Sequence, residues 1–163
     1  MYSARTITLY FIWKAYSDKK ELTILKLLNI LFLSFGHYLA AKDKVLFNND
    51  IYACKYGPVV IEVYDEFKKF GNSPLQQLLT NDESSYIFSI KDTLNIIDED
   101  NKIFLDLVWD AYKSFPIYKL LELCTKPGSP WEQTNNVLNF DKKVIEEKLI
   151  KDYFLRLVSK TNI

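Results

Sequence analysis

The chain has 163 residues, a length that predicts one domain, residues 1–163, burying roughly two thirds of its unfolded surface. Apolar residues make up 48% and aromatic residues 15%, which excludes an intrinsically disordered chain. Lys+Arg 21 balances Asp+Glu 21, so no global field draws in nucleic acid or an anionic membrane, and neither is an expected partner. The same neutrality resists association poorly and leaves a homo-oligomer open.

Only Gly 4 and Pro 5 interrupt the chain, which favours long helices over a many-stranded sandwich. The expected fold is mainly α, a compact single-domain helical bundle with one small antiparallel β-hairpin. Residues 4 to 16 carry Ile7, Tyr10, Phe11 and Ala15 at helical spacing and predict a first helix. Thr23 is placed to cap a second helix to about Ala41, because its hydroxyl can accept from the unpaired amides of the first turn. Ile24 to Leu39 is apolar nearly all round, which assigns this helix to the middle of the bundle.

Val45 to Lys55 reads as the hairpin, with VLF and IYACK flanking the turn-forming cluster Asn48-Asn49-Asp50. Gly57-Pro58 ends it, and Pro58 suits the first position of a third helix that turns Val59, Val60, Val63, Phe67 and Phe70 inward and stops at Gly71. Between 72 and 99 the pattern is weak, and the alternating run Tyr86 to Ile90 suggests one strand. Asp100 is expected to cap a helix burying Phe104, Leu105, Val108, Trp109 and Tyr112. Pro116 starts another through Leu120, Leu121 and Cys124. TKPGSPW reads as a loop, followed by a last helix after Asp141 with Val144, Ile145, Leu149, Phe154 and Leu157 as its apolar stripe.

No catalytic set emerges, and no enzyme is expected. His37 is the single histidine, so any serine or cysteine triad would have to use it from within an apolar helix. A hydrogen-bonded, largely buried imidazole is the favoured reading. Cys54 and Cys124 lack CxxC or histidine spacing and read as buried thiols, neither a disulfide nor a zinc site. Asp98-Glu99-Asp100 lacks the alternating ligands of a calcium loop. No phosphate-cradling or metalloprotease motif occurs, so neither cofactor nor metal is expected. The start MYSARTITLYFIW has no basic region or cleavage site of a signal peptide, which predicts a cytoplasmic protein.

Three blocks in order carry a family resemblance. The first is Lys26-Leu27-Leu28-Asn29-Ile30-Leu31-Phe32-Leu33. The second is Ile51-Tyr52-Ala53-Cys54-Lys55-Tyr56-Gly57-Pro58-Val59-Val60 with Val63-Tyr64, and the third is Leu120-Leu121 and Thr125 leading to Pro130-Trp131. Together they resemble the Panacea-domain (SocA-like) antitoxins of bacteria and phages, with Asn29, Phe32, Cys54 and Lys126 standing where the family has lysine, tyrosine, tryptophan and histidine.

The resemblance implies an antitoxin that binds a cognate toxin directly, and in the founding case an adaptor that delivers the toxin to an AAA+ protease. Lys26, Lys55, Tyr56, Gly57, Pro58, Tyr64 and Trp131 are the implied partner-binding residues. Their chemistry leaves a second reading open at each place. Gly57 and Pro58 are explained by backbone geometry alone, Trp131 suits a cover over the bundle end as well as a hot spot, and the Lys26 stem can lie on apolar surface near a helix start. The competing function is a phage- or prophage-encoded regulatory or DNA-binding protein. Its reading helix would cluster Arg and Lys, which the mixed-charge helices here do not.

Overall fold

Two hydroxyl caps set the first pair of helices. In the computed structural model, which describes residues 1–80, 84–135 and 142–161, α1 (Ala4–Asp18) opens where the Ser3 side chain accepts from the Thr6 amide. Helix α2 (Ile24–Lys42) opens where Thr23 accepts from the Lys26 amide. Both close on a left-handed residue, Lys19 and Asp43. Because α2 is apolar around its circumference, it can be stable only if enclosed. Its 19 residues would be long and apolar enough to cross a bilayer, yet 72% of an 18-residue stretch of it is buried inside the fold. Helix α1 covers one side of it.

The strands occupy one end. β1 (Tyr52–Cys54) pairs antiparallel with β2 (Gly57–Val59) in the register Tyr52↔Val59, Ala53↔Pro58 and Cys54↔Gly57. On its other side β1 pairs with β3 (Lys143–Val144), giving the order β2-β1-β3. The hairpin therefore turns at Lys55-Tyr56 and not at Asn48-Asn49-Asp50. That polar cluster serves α1 instead: Asn49 Oδ1 accepts from the Ala4 amide at 2.8 Å, beside a parallel bridge between Tyr2 and Phe47. Pro58 is a strand residue and does not begin the next helix. It sits on the sheet edge, where a missing amide hydrogen is tolerated.

After Val60 comes α3 (Ile61–Phe67), burying Val63 and Phe67. A 3-10 turn, Lys68–Phe70, then stops at Gly71 with φ 54°, and a second, Leu75–Leu79, packs against α1. The run Tyr86 to Ile90 is helical, within α4 (Ser84–Ile96). Tyr86, Ile90, Thr93 and Ile97 are buried, a spacing of four, three and four that fits a helix, and five alternating residues cannot separate the two periods.

Helix α5 (Glu99–Tyr112) is capped by Asp98, not Asp100; the Asp98 side chain accepts from the Asn101 amide. Pro116 precedes α6 (Ile117–Thr125) as its cap residue. The expected loop at TKPGSPW contains the start of α7 (Pro130–Asn135). The last helix, α8 (Glu147–Thr161), begins later than expected, with Val144 in β3 and 43% exposed rather than in an apolar helical stripe; Asp141 lies outside the described residues. Helices α5, α6 and α8 complete the shell around α2.

Polar atoms at the core boundary lock α1 to α5. Tyr10 donates to Asp106 at 2.8 Å, and Trp109 donates through Nε1 to Asp18 at 2.8 Å while its ring stacks on Phe11. Buried aromatic hydroxyl and indole groups need such partners. The Trp109 bond is also what holds the Asp18 carboxyl below the usual carboxylate range.

Candidate partner-binding surface

The β1–β2 hairpin projects two side chains from an otherwise packed base. Among the described non-glycine residues only Lys19 and Asp43 have positive φ, so Lys55 and Tyr56 turn the chain without entering the left-handed region. Gly57 completes the reversal at φ 118°. A side chain there would be strained by the backbone, and a Cβ would stand 3.0 Å from Leu121 Cδ1. Glycine is thus required by dihedral angle and by the approach of α6.

Behind the turn, Gly57 and Pro58 are buried, whereas Lys55 and Tyr56 are exposed. Tyr56 is 66% exposed, with the Lys55 ammonium 5.3 Å from its ring centroid. The two tip residues therefore present a cation over an aromatic face. Tyr64, in the first turn of α3, is exposed with Lys68 over its ring at 5.8 Å.

Trp131 ties the hairpin to α7. Its Nε1 donates to the Cys54 carbonyl at 2.7 Å, and the indole is half-buried. The short α7 is itself fastened at its start. The Ser129 hydroxyl accepts from the Glu132 amide and the Glu132 carboxylate accepts from the Gly128 amide, a reciprocal arrangement of the capping-box type. Pro130-Trp131 is therefore a brace whose indole holds the last residue of β1.

Lys26 has a different environment. Its ammonium donates to the Lys113 carbonyl at the end of α5, where a cation meets the negative end of the helix dipole. Burial, with a smaller contribution from Lys20, pushes its pKa below the ordinary lysine value. Asn29, one turn on, is buried and donates to the Leu25 carbonyl. Among the described residues its Oδ1 has no hydrogen-bond partner, and it faces Gly57. Of the seven sequence-predicted residues, the structure joins Lys55, Tyr56, Gly57, Pro58 and Trp131 in one unit, puts Tyr64 on the next helix, and commits Lys26 to the α5–α6 junction.

Other reactive groups are held in the interior. His37 Nε2 lies 2.8 Å from the Tyr112 hydroxyl, and burial lowers its pKa. Cys54 and Cys124 are free thiols, both raised by burial. Cys54 is only half-buried, because its strand borders the exposed tip. On the β3 side of the sheet, a concavity of about 310 Å³ is lined by Phe35, Phe47, Asp50, Ile51, Ile145 and Glu146 among others, and by none of the seven residues above.

The family model described as "Antitoxin SocA-like, Panacea domain" matches residues 27–132, more than half of the chain. The chain belongs to this family. The matched Panacea segment begins inside α2 and ends within α7, so it contains the hairpin, its Trp131 brace and the α5–α6 junction. It leaves out α1, β3 and α8, which this structure nevertheless packs into the same fold. No curated protein and no solved structure matches the chain.

Proposed function

We propose that this Panacea-domain protein is a cytoplasmic antitoxin that neutralises a cognate toxin by direct binding and performs no catalysis itself. In this reading Lys55 and Tyr56 are the contact residues, Tyr64 extends the surface, and Gly57, Pro58 and Trp131 hold the tip rigid. One observation carries it: a 66% exposed tyrosine stands directly before a buried glycine in a braced two-residue turn. A preorganised aromatic loses little entropy on binding, and such anchors dominate interface energies. The engagement of the single histidine with Tyr112 supports a non-catalytic role. Delivery of the bound toxin to an AAA+ protease is a further role of the same complex, one that would need a second surface.

The test is Tyr56→Ala. Loss of a hot-spot tyrosine weakens toxin binding by about 2 kcal/mol, close to thirtyfold in Kd, and should abolish rescue of cells expressing the toxin at native levels. The variant should melt with the parent, because the side chain is exposed. Full rescue by a folded variant removes Tyr56 from the interface, and joint loss of melting and rescue makes the turn structural only.

A further inference from the structure

Helix α5 carries apolar residues that the core does not use. Leu105, Val108 and Trp109 are buried on its inner face, yet Ile103 and Leu107 are 60% and 66% exposed on the opposite one. Ala111 is exposed with them, and spacing of four residues stacks the three in one line along the helix. An exposed apolar line of this kind is the signature of a helix-docking surface, which is read as anchors at one-turn intervals.

Carboxylates frame that line. Helical rotation places Asp100 and Asp110 on the same side as Ile103 and Leu107, with Glu99 and Asp106 along one edge. Lysines approach three of the four: Lys102 pairs with Glu99 at 2.6 Å, Lys14 with Asp106 at 3.1 Å and Lys113 with Asp110 at 2.8 Å. Asp100 has no ion pair among the described residues, and the side chains of Glu99 and Asp110 remain 82% and 60% exposed. The face is therefore apolar along its middle and open to a cation at its margin.

We propose that the outer face of α5 docks a basic amphipathic helix of a partner protein. Apolar residues of that helix cover Ile103, Leu107 and Ala111, and its lysines or arginines meet Glu99, Asp100 and Asp110. Charge decides among the occupants. With Lys102, Lys14 and Lys113 answering three of the four carboxylates, the face keeps one net negative charge at Asp100, to which a second copy of this chain would add a like charge and an anionic bilayer would bring no cation. The surface uses none of the hairpin residues, so it stands or falls independently of the toxin contact at Tyr56.

The probe is a fluorescein-labelled synthetic peptide of leucine and lysine, about 18 residues or five helical turns long, with its leucines on one face. Its anisotropy is titrated against the full chain. Saturable binding is expected, with Kd raised about tenfold or more by Leu107→Ser and, independently, by Ile103→Ser. Asp100→Lys should weaken binding and flatten its salt dependence, while Tyr56→Ala leaves Kd unchanged. Both serine variants lie on the surface and should melt with the parent, so either can serve if the other fails to fold. Absence of saturable binding overturns the proposal. So does equal affinity for a serine-lysine peptide, which would reduce the effect to charge alone, and so does a dimer by light scattering that Leu107→Ser dissolves, because a second copy would then cover the face.

Discussion

The ring of Phe154 on α8 lies directly over Gly36 of α2, so that a Cβ at residue 36 would overlap the ring carbons. Phe154 is fully buried and meets Phe32 edge-on, with centroids 5.7 Å apart. The absence of a side chain at Gly36 is what lets the two helices approach. Gly36→Ala should therefore destabilise the protein by about 3 kcal/mol, even though alanine is the better helix former, because overpacking outweighs a propensity gain of about 1 kcal/mol. Chemical denaturation measures it; an equal or raised midpoint would show that α8 moves aside without cost.

Trp131 offers a cleaner substitution. Trp131→Phe keeps an aromatic ring against the hairpin and removes the indole N–H that the Cys54 carbonyl accepts at 2.7 Å, together with part of the ring. Leaving that carbonyl without its partner should cost about 1–2 kcal/mol. Amide exchange should accelerate in β1 and β2 ahead of α2, since the bond braces the hairpin locally and not the whole bundle. Unchanged exchange in residues 52 to 59 would remove the brace.

Much of this fold could be read from local signals, and the exceptions share a cause. Thr23 as a cap, α2 as the enclosed helix, and Val63 and Phe67 as an inward stripe depend on residues within one or two turns of each other. Asn48-Asn49-Asp50 has turn composition and so draws the expected hairpin to itself, while its actual task, accepting from Ala4, lies 45 residues away. β3 has no local signal for the same reason, as Val144 pairs with Tyr52 across more than half of the chain.

The candidate site divides along the same line. That Gly57 answers to backbone geometry is legible beside Pro58, but the two-residue turn that exposes Tyr56 is not, and the Lys26 ammonium is fixed by a carbonyl 87 residues on, which no spacing announces. Ile103 and Leu107 were hidden for a different reason. In a sequence, apolar residues on a second face of a helix look like additional core, and only the packing shows that nothing covers them.

The pH dependence of stability should report on His37. It is the single histidine, so it is the side chain whose ordinary pKa, about 6.5, falls between pH 5 and 8. Its surroundings are Tyr112, at hydrogen-bond distance and stacked, and the edge of Phe154, and among the described residues no carboxylate forms a hydrogen bond or ion pair with it. Burial lowers its folded pKa, so below the unfolded value the unfolded chain takes up the proton first. Stability contributed by this group is complete above about pH 6.5, declines as the pH falls through the window between the unfolded and folded pKa values, and levels off beneath it. One proton limits the slope to about 1.4 kcal/mol per pH unit. Denaturation midpoints of the parent and of His37→Gln, compared at pH 7.5 and 5.5, check this. The variant keeps an amide able to reach the Tyr112 hydroxyl but cannot titrate, so it should lose less stability than the parent on acidification. Parallel losses in both proteins would mean that the imidazole does not gain its proton preferentially on unfolding, and that water or a rotated ring supports the charged form inside the fold.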